Sequence, residues 1–451
     1  MKLYKIIFLF VLACFSCTSD FLDAKPEKSL VVPSTLNDLQ ALLDDVNQQI
    51  NQTQGISEFA TDEYVGADGS LDRLNEVVQN AYMWKRPLGM MSISDWSILY
   101  AQVLRANIVL EGLEAVEKNT GNAGQYDGIK GSALFFRAWH FFNLLQTYAV
   151  PFDPATENTD LGIILKIRAD INEKPERSTV ADAYARILDD LVKAVTLLPR
   201  KTDVPSRPNL AAGLAFLARV HLSRQDFEQA ETYAALTLAE HNVLLDYNDF
   251  LHSESFPNPF QRDQGNDEVL FYSIPILYSS SFMSNAAPNP ELYASYDEQD
   301  LRKRIYFKQN NTGQPQMAAT YYGTSLIPFS GLTTSEMYLI RAECLARKGL
   351  LEDSAESLNH LLTFRWDDNV PYQPLQFSSR EEGLKIIFEE RRRELVFRCL
   401  RWYDLRRLNK EPAFAQTLRK SYNGEDYILE PDSDLYSFPI PDTEILYNDN
   451  L

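Results

Sequence analysis

The feature that most constrains the fold is a predicted helix at residues 128–148 that has almost no polar face. Its apolar side chains are Ala133, Leu134, Phe136, Ala138, Trp139, Phe141, Phe142, Leu144 and Leu145. In a soluble protein, a helix that is apolar all round must be covered by neighbours on both sides. The segment therefore predicts an inner member of a helical solenoid.

Apolar residues at three-to-four spacing predict further helices along the chain. We predict helical hairpins at about 95–148, 179–241 and 335–364, and a last helix at 381–409. The intervening segment 252–331 contains seven prolines, which exclude long helices. So long an irregular stretch, rich in aromatic residues, predicts an ordered loop-rich insertion that carries function.

The second hairpin has the pattern of a known repeat. Its helices at 209–223 and 226–241 are joined by only two residues, and small side chains recur where the helices would meet. The pair resembles a tetratricopeptide unit, with Ala218 and Ala230 at its two small-residue positions. The predicted fold class is therefore all-α, a tetratricopeptide-like helical-hairpin solenoid with a loop-rich insertion.

The first 17 residues have the parts of a bacterial lipoprotein signal. Basic residues at the start are followed by an apolar run at 6–13 and by Cys14 and Cys17. The run is shorter than the roughly 20 residues that cross a bilayer. Cys14 directly follows apolar residues and a small residue, as a lipoprotein cleavage site does. Cys17 would give the signal a longer apolar core and is followed by polar residues. We expect an exported chain whose membrane attachment is lipid only.

Two other interpretations of this N-terminus compete with the lipoprotein signal. A short buried helix would leave its basic start unexplained. A Cys-x-x-Cys metal or redox pair would have no partner His or Cys nearby. The two remaining cysteines, Cys344 and Cys399, lie in apolar-periodic stretches and are predicted to be buried free thiols, although one disulfide between them is possible.

Charge and motifs exclude several classes of function. A formal net charge of -20 disfavours nucleic-acid binding, because phosphates need clusters of Lys and Arg. The chain has no phosphate-binding glycine loop, no Gly-x-Ser-x-Gly elbow and no His-Glu-x-x-His zinc helix. We therefore expect no metal, no cofactor and no catalytic residues.

The acidic and basic block at 389–394 is predicted to be a charge network rather than a catalytic pair. On a helix, Glu389 and Glu390 both face Arg393, and Glu394 faces Arg398. Such pairing lowers carboxyl pKa values, whereas a general acid needs a raised one. We expect the network to fix the last helix against the solenoid, with Arg341 and Glu343 as further candidates.

Ligand contacts are predicted in two places, the loop at 62–84 and the insertion. An aromatic plane beside Asp, Asn or Arg suits a sugar, which has apolar C–H faces and hydroxyl edges. The candidates are Trp84, Asp62, Tyr278, Phe282, Tyr293, Tyr296, Tyr321, Tyr322 and Trp366. Trp84 is the first choice as a stacking platform because a Lys-Arg-Pro loop follows it, and Trp366 is the second. Each of these aromatics could instead pack under a loop.

Several separated blocks, taken in order, resemble the SusD/RagB family of outer-membrane nutrient-binding lipoproteins. They are Cys17-Thr-Ser-Asp-Phe-Leu-Asp23-Ala-Lys-Pro26, Trp96 with Asn107, Lys130-Gly-Ser-Ala-Leu-Phe-Phe-Arg137-Ala138, Tyr338-Leu-Ile-Arg341-Ala-Glu343, Glu390-Arg391-Arg-Arg-Glu394-Leu395 with Arg401-Trp402-Tyr-Asp404-Leu405-Arg406, and Phe438-Pro-Ile-Pro-Asp442-Thr-Glu444-Ile445. Phe397-Arg398-Cys399 departs from the family, which usually has Phe-Glu-Gly there. The resemblance covers nearly the whole sequence.

The resemblance implies an organisation for the chain. It places the lipid on Cys17, a removed signal peptide at 1–16, an extended tether at 17–33 and a single domain at 34–451. The implied fold has four tetratricopeptide-like helix pairs and an irregular half that carries the ligand surface.

The resemblance also implies a role at the cell surface. The chain would bind oligosaccharide without catalysis and deliver it to a SusC-like TonB-dependent outer-membrane transporter. An oligopeptide-binding lipoprotein of the same pathway is the nearest alternative. A tetratricopeptide scaffold that binds only proteins, and a hydrolase, are two more distant ones.

Overall fold

A computed structural model describes residues 33–48, 50–88, 94–170, 172–251, 256–258, 260, 265–279, 282, 286–323 and 327–448. The predicted signal peptide and both anchor candidates, Cys14 and Cys17, lie outside the described residues. Among the helices that the structure describes, none combines the length and hydropathy needed to cross a bilayer.

Helices dominate the described chain. In order, they are α1 (Leu36–Leu43), α2 (Ile56–Ala60), α3 (Glu76–Tyr82), α4 (Asp95–Glu114), α5 (Ala123–Tyr148), α6 (Val180–Val195), α7 (Leu210–Ser223), α8 (Phe227–Glu240), α9 (Pro290–Ala294), α10 (Leu301–Tyr306), α11 (Thr334–Lys348), α12 (Leu351–Thr363), α13 (Arg380–Glu394), α14 (Arg401–Leu408) and α15 (Asp442–Tyr447). This composition confirms the predicted all-α fold class.

The long helices pack side by side as a solenoid. Helix α4 packs on α5, α5 on α6, α6 on α7, α7 on α8, α8 on α11, and α11 on both α12 and α13. Every residue of α5 from Gly131 to Tyr148 is buried. The prediction of a central helix that is covered on both sides is therefore confirmed.

Small residues allow the helices to approach each other closely. At Gly213 of α7, an added Cβ would lie 2.8 Å from Val195 Cγ1 at the end of α6. Ala218 and Ala230, the predicted small-residue positions of the α7–α8 hairpin, are both fully buried. Their size sets the distance between the two helices, as a close-packed interior requires.

The strands that the structure describes have only two to five residues. They are β1 (Gln52–Thr53), β2 (Tyr64–Val65), β3 (Leu161–Ile164), β4 (Arg177–Thr179), β5 (Val269–Phe271), β6 (Ile274–Pro275), β7 (Ala287–Pro288), β8 (Phe307–Gln309), β9 (Pro315–Met317), β10 (Leu332–Thr333), β11 (Leu418–Tyr422) and β12 (Glu425–Leu429). Two insertion strands pair with the N-terminal part of the domain, β6 in parallel with β1 and β7 antiparallel to β2.

The other ladders are local. Strand β3 pairs with β4, β8 with β9 and β11 with β12, while β5 pairs with β10 just before α11; all four pairs are antiparallel. In the described part of 252–331, α9 and α10 have only five and six residues. The prolines thus limit helix length as predicted.

The single helix predicted at 381–409 is wrong, because the chain leaves helical geometry between α13 and α14. Phe397 and Cys399 both have a φ of 59°, in the left-handed region that non-glycine residues rarely adopt. The break lets the Phe397 N–H donate to Glu63 Oε2 at 3.1 Å and lets the Phe397 ring stack on Tyr64. These contacts with distant residues are not visible in the periodicity of the sequence.

Both cysteines in the described residues are buried and free, as the sequence predicted. Cys344 lies in α11 and Cys399 lies in the break before α14. Burial raises the pKa of each thiol above its ordinary value. Neither thiolate is therefore favoured at neutral pH.

We expect Gly213→Ala to lower the free energy of unfolding by about 1–3 kcal/mol, because the added methyl group overpacks the α6–α7 contact. Chemical denaturation measures this change. Gly124→Ala is the matched control, since Gly124 also lies in a helix but a Cβ there would meet nothing within 4 Å. Equal stability loss in the two variants would contradict the close-packing account.

Candidate ligand-binding site

A cavity of about 150 Å³ opens where three distant loop segments meet α2, α3 and the end of α5. The first segment contributes Arg86, Pro87, Leu88 and Ser94, the insertion contributes Tyr278, and the C-terminal segment contributes residues 438–443. Tyr148, the last residue of α5, forms part of the wall. We call this space the Tyr278 cavity.

Tyr278 is held in place by the first residue of α4. Its hydroxyl donates to Asp95 Oδ1 at 2.9 Å and accepts from the Asp95 N–H at 3.0 Å. Asp95 Oδ2 accepts in turn from the N–H groups of Gly55 and Ile56, each at 3.0 Å. These bonds tie the insertion, α4 and the N-terminal segment together at the cavity wall.

Burial dominates the electrostatics of this contact. It raises the pKa of Asp95 to about 6, against the lowering effect of its three hydrogen-bond donors. Burial and the nearby Asp95 carboxylate also raise the pKa of Tyr278 well above its ordinary value. Tyr278 is consequently a neutral, half-buried ring with a fixed orientation.

The rim of the cavity is polar. The exposed Arg86 donates from Nη2 to the Ser437 carbonyl at 2.7 Å, and its guanidinium lies 5.5 Å from the centre of the Phe438 ring. The exposed Asp442 is the first residue of α15. Aromatic and aliphatic walls with a few charged groups at the rim are suited to a ligand that has apolar faces and polar edges.

Trp366, the second predicted platform, lies beside a separate and larger space. Its half-buried ring makes an edge contact with Tyr372 at 5.8 Å. Tyr372 lines a groove of about 730 Å³ between α12 and the extended segment 372–377, with His360 and Phe377. Trp366 itself does not line this groove.

The prediction that Trp84 is an exposed platform is wrong. Its ring is only 6% exposed, its indole N–H donates to the Ala60 carbonyl at 2.9 Å, and the Lys420 ammonium lies 4.6 Å from the ring centre. The loop position suggested exposure, but the ring packs inward and covers the end of α2.

Three other predicted aromatics are also buried. Phe282 packs against the rings of Phe59 and Tyr82. The Tyr296 hydroxyl donates to the Arg393 carbonyl at 2.7 Å. Tyr321 is fully buried, with the Arg398 guanidinium 3.3 Å from its ring centre. These rings pack the insertion against other parts of the chain and are not available to a ligand.

Asp62 is likewise a structural residue. Its carboxylate accepts from Arg401 Nε at 2.7 Å and from Arg392 Nη2 at 2.8 Å, and the side chain is buried. Although burial opposes it, the two guanidinium groups hold the pKa of Asp62 well below its usual range. Asp62 therefore connects the N-terminal segment to α13 and α14.

Two predicted aromatics remain partly accessible away from the Tyr278 cavity. Tyr293 is half-buried, with Lys303 Nζ 5.4 Å from its ring centre. Tyr322 is half-buried next to Tyr272, at a centroid distance of 5.9 Å. Neither lines the Tyr278 cavity.

Most residues of the cavity wall are not among the ligand contacts predicted from the sequence. These residues include Tyr148, Phe438, Arg86 and Ser94. The signal was present in the Phe-Pro-Ile-Pro run at 438–441, because two prolines keep an extended segment from pairing and leave its side chains free to line a cavity. The position of that run beside residues 86–88 and Ser94 cannot be predicted from the sequence.

The predicted pairing within the 389–394 block is partly confirmed. Arg393 Nη2 lies 2.7 Å from Glu390 and 3.9 Å from Glu389. Arg302 also binds Glu390. Although burial alone would raise the pKa of the Glu390 carboxyl, the guanidinium groups of Arg302 and Arg393 lower it below its ordinary value.

The predicted pair between Glu394 and Arg398 is wrong. Helix α13 ends at Glu394, so the following residues do not continue the four-residue spacing. The fully buried Glu394 carboxylate instead accepts from Arg365 at 2.9 Å and Arg302 at 3.3 Å. Arg365 lies just after α12, and Arg302 lies in α10.

Glu343 takes part in the network as proposed. It pairs with Arg407 of α14 and with Arg347 at 2.9 Å. Arg341 does not join it, and lies 3.9 Å from Glu231 of α8 instead.

Two further carboxyls have raised pKa values but are not accessible. Burial raises the pKa of Glu58 to about 7 and that of Glu63 well above its usual range. Each side chain is only 1% exposed, and the cavity beside Glu63 has about 10 Å³. A sugar cannot reach either group. Among the described residues, no three His, Cys, Asp or Glu side chains form a metal-binding group.

Comparison with known proteins identifies the family. The profile of a family described as "Starch-binding associating with outer membrane" matches residues 20–222, and that of the SusD family matches residues 278–451. The chain belongs to the SusD/RagB family. Two curated proteins of Formosa agariphila are similar to it: SusD-like protein P2, 25% identical with 100% of this chain and 99% of the relative covered, and SusD-like protein P38, 23% identical with 78% and 79% covered.

Solved structures of SusD-like proteins share the fold. A putative sugar binding protein from Bacteroides vulgatus has a TM-score of 0.76 at 18% identity, with 93% of this chain and 98% of the other covered. A SusD-like carbohydrate binding protein from the same organism has a TM-score of 0.69 at 18% identity, with 93% and 97% covered.

Asp95 should make stability depend on pH. Because its pKa is about 6 in the folded protein and 3.8 in the unfolded chain, its contribution is fully present below pH 3.8 and is lost as the pH rises to about 6. We expect a loss of ~3 kcal/mol over this window relative to Asp95→Asn. Urea denaturation of both proteins at pH 4 to 7 measures the difference. If the free energy of unfolding changed equally with pH in the unchanged chain and in Asp95→Asn, the raised pKa of Asp95 would be contradicted.

Proposed function

We propose that this SusD/RagB protein is an outer-membrane lipoprotein that binds oligosaccharide non-covalently and delivers it to a TonB-dependent transporter. The description of the matching family as starch-binding and associated with the outer membrane supports the ligand class and the location. The carbohydrate binding protein named among the similar structures adds to this support.

The observation that carries the proposal is the Tyr278 cavity. A neutral tyrosine ring of fixed orientation lies beside an exposed guanidinium and an exposed carboxylate, Arg86 and Asp442. Such a ring offers its face to the C–H groups of a sugar, while the rim groups meet its hydroxyls. At about 150 Å³, the cavity holds part of a ligand whose remainder extends outside.

The remaining accessible aromatics provide further proposed contacts for a longer chain. Tyr293, Tyr322 and Trp366 are each half-buried, so part of each ring is open to solvent. The buried candidates Trp84, Phe282, Tyr296, Tyr321 and Asp62 are not part of this proposal.

Binding without hydrolysis fits the carboxyls of the cavity. Glycoside hydrolysis needs two carboxyls on either side of the scissile bond. Asp95 is fully buried and its oxygens are occupied by Tyr278 and two backbone N–H groups, which leaves Asp442 as the carboxyl on the rim. Incubation with a glycan panel should give retention and no products.

The direct test is polysaccharide binding by the lipid-free protein, measured by affinity electrophoresis and calorimetry against a panel of glycans and a peptide library. We expect Tyr278→Ala to weaken glycan binding at least about tenfold, because the stacking face is lost. Tyr278→Phe should keep most of the affinity, since the hydroxyl is occupied by Asp95 and the ring remains.

The controls separate this site from others. Tyr126→Ala removes a half-buried tyrosine of α5 that lies outside the cavity and should leave affinity unchanged. Loss of binding in Tyr372→Ala but not in Tyr278→Ala would move the site to the groove beside α12. Binding of peptides with no retention of any glycan would favour the oligopeptide alternative.

The anchor and the partner are proposed from the family and the N-terminal sequence. Cys17, or alternatively Cys14, would carry the lipid, and the transporter would be SusC-like. Co-purification from outer membranes tests both the lipid anchor and the contact with the transporter. A Cys17→Ser chain should fractionate as soluble and should no longer co-purify with the transporter. Unchanged fractionation of the double variant with Cys14→Ser would contradict lipid anchoring.

A further inference from the structure

The groove beside α12 is separate from the Tyr278 cavity and shares no lining residue with it. One wall is α12 along its whole length, from Leu351 to Thr363, and the other is the extended segment 372–377. We call this space the α12 groove. None of the ligand residues predicted from the sequence lines it, and the proposed function does not use it.

The extended wall is fixed to α12 by one side chain. Asn359 Oδ1 accepts from the Tyr372 hydroxyl at 2.7 Å and from the Leu375 N–H at 2.8 Å, and Asn359 Nδ2 donates to the Leu375 carbonyl at 2.9 Å. At the far end of this wall, Phe377 packs so closely on α13 that a Cβ on Gly383 would lie 2.9 Å from the ring. The groove is therefore preformed, which lowers the entropy that binding must overcome.

The inner surface of the groove is apolar and partly aromatic. Leu351 and Ala355 line it from α12, and Tyr372, Leu375 and Phe377 line it from the extended wall. The three side chains of the extended wall are half-buried, so each is packed against the core and still has surface open to solvent. Such a surface is suited to a ligand that brings apolar side chains of its own.

The rim of the groove is negatively charged. Glu352 and Glu356 line it, both are exposed, and the lining includes no lysine or arginine. Among the described residues, neither carboxylate makes an ion pair. The two lie four residues apart on α12, a spacing at which like charges repel each other and destabilise a helix. A cation bound beside them would relieve this repulsion.

The length of the groove matches a short stretch of extended chain. Helix α12 has 13 residues and is therefore ~20 Å long. At about 3.3 Å per residue, roughly six residues of extended chain span that distance. Successive side chains of an extended chain point in opposite directions, so one set can enter the apolar groove while the other reaches the charged rim.

We infer that the α12 groove is a docking site for an extended segment of a partner protein, about six residues long, in which basic side chains alternate with apolar ones. The apolar side chains contact Ala355, Tyr372 and Phe377, and the basic ones pair with Glu352 and Glu356. A neutral glycan would also stack on the aromatic rings, but it would gain nothing from the two carboxylates, so its binding would not depend on salt.

The test is methyl-labelled NMR of the lipid-free mature chain, titrated with a synthetic hexapeptide that has capped ends and alternating lysine and leucine. At about 0.15 M salt we expect saturable shifts of the Leu351, Ala355 and Leu375 methyl signals, and weaker binding at about 1 M salt because the charges are screened. A matched hexapeptide with glutamate in place of lysine should give no shifts at the same concentration.

A matched pair of double variants separates the groove from general charge attraction, which a chain of formal net charge -20 exerts on any basic peptide. Glu352→Gln combined with Glu356→Gln should weaken binding of the lysine peptide at least about threefold. Glu114→Gln combined with Glu117→Gln removes the same charge from exposed positions at and just after the end of α4, and should leave the affinity unchanged.

Several results would overturn the inference. They are absence of shifts with the lysine peptide, equal shifts with the glutamate peptide, and equal loss of affinity in the two double variants. Shifts of Leu351, Ala355 and Leu375 with a neutral glycan, and none with the lysine peptide, would also overturn it and would make the groove a glycan site.

These outcomes are distinguishable from failure of the proposed function. Tyr278→Ala should bind the lysine peptide like the unchanged chain. Glycan retention by a chain that shows no peptide shifts at Ala355 would leave the function standing and remove the docking site. Peptide shifts at Ala355, in a chain that retains no glycan, would support the docking site and remove the proposed function.

Discussion

The rest of the structure depends on a buried ion-pair network centred on Glu394. Its carboxylate, fully buried at the end of α13, accepts from Arg365 after α12 and from Arg302 of α10. Arg365 also binds Glu268 of the insertion at 2.7 Å. The Glu394 carboxylate thus links α13 directly to Arg302 and, through Arg365, to Glu268. Arg302 and Glu268 lie in two separate parts of the insertion. Removing one member of such a group leaves a buried charge uncompensated, which costs about 3–5 kcal/mol.

The ion-pair network stabilises the loop-rich half, whose backbone hydrogen bonds alone are too few to hold it in one conformation. In its described residues, the insertion contributes strands of two or three residues and helices of five and six residues, all too short to be stable alone. Ion pairs at Asp62 and Glu394, with the β1–β6 and β2–β7 ladders, hold these pieces against α13 and α14. A rigid wall around Tyr278 follows, and a preformed wall lowers the entropy that binding must overcome.

The helical half could be predicted from the sequence because its signals are local. The all-apolar helix at 128–148 needs cover on both faces, and Ala218 and Ala230 mark close helix contacts, so periodicity and residue size suffice. The break at Phe397 could not be predicted, since it depends on a hydrogen bond to Glu63, more than 300 residues away. Glu394 was assigned the wrong partner for the same reason.

The candidate site could be predicted only in part. Of the predicted ligand residues, Tyr278 lines the cavity, but composition cannot separate a ring that lines a cavity from one that forms the core beneath it. Trp84 and Tyr321 were predicted to contact ligand on the same ground, as aromatic residues of loop segments, yet they are buried at 6% and 0% exposure. Their burial is set by Lys420 and Arg398, which pack on their faces from distant segments.

Hydrogen exchange of Glu394→Gln is the most direct test of this account. If the Glu394 network orders the loop-rich half, amide protection should fall in 265–279 and 286–323 while α5 and α7 keep theirs. Glu389→Gln is the matched control, since Glu389 lies on the same helix with its side chain 70% exposed. Unchanged protection of the insertion in Glu394→Gln, or equal loss in both variants, would contradict the central claim.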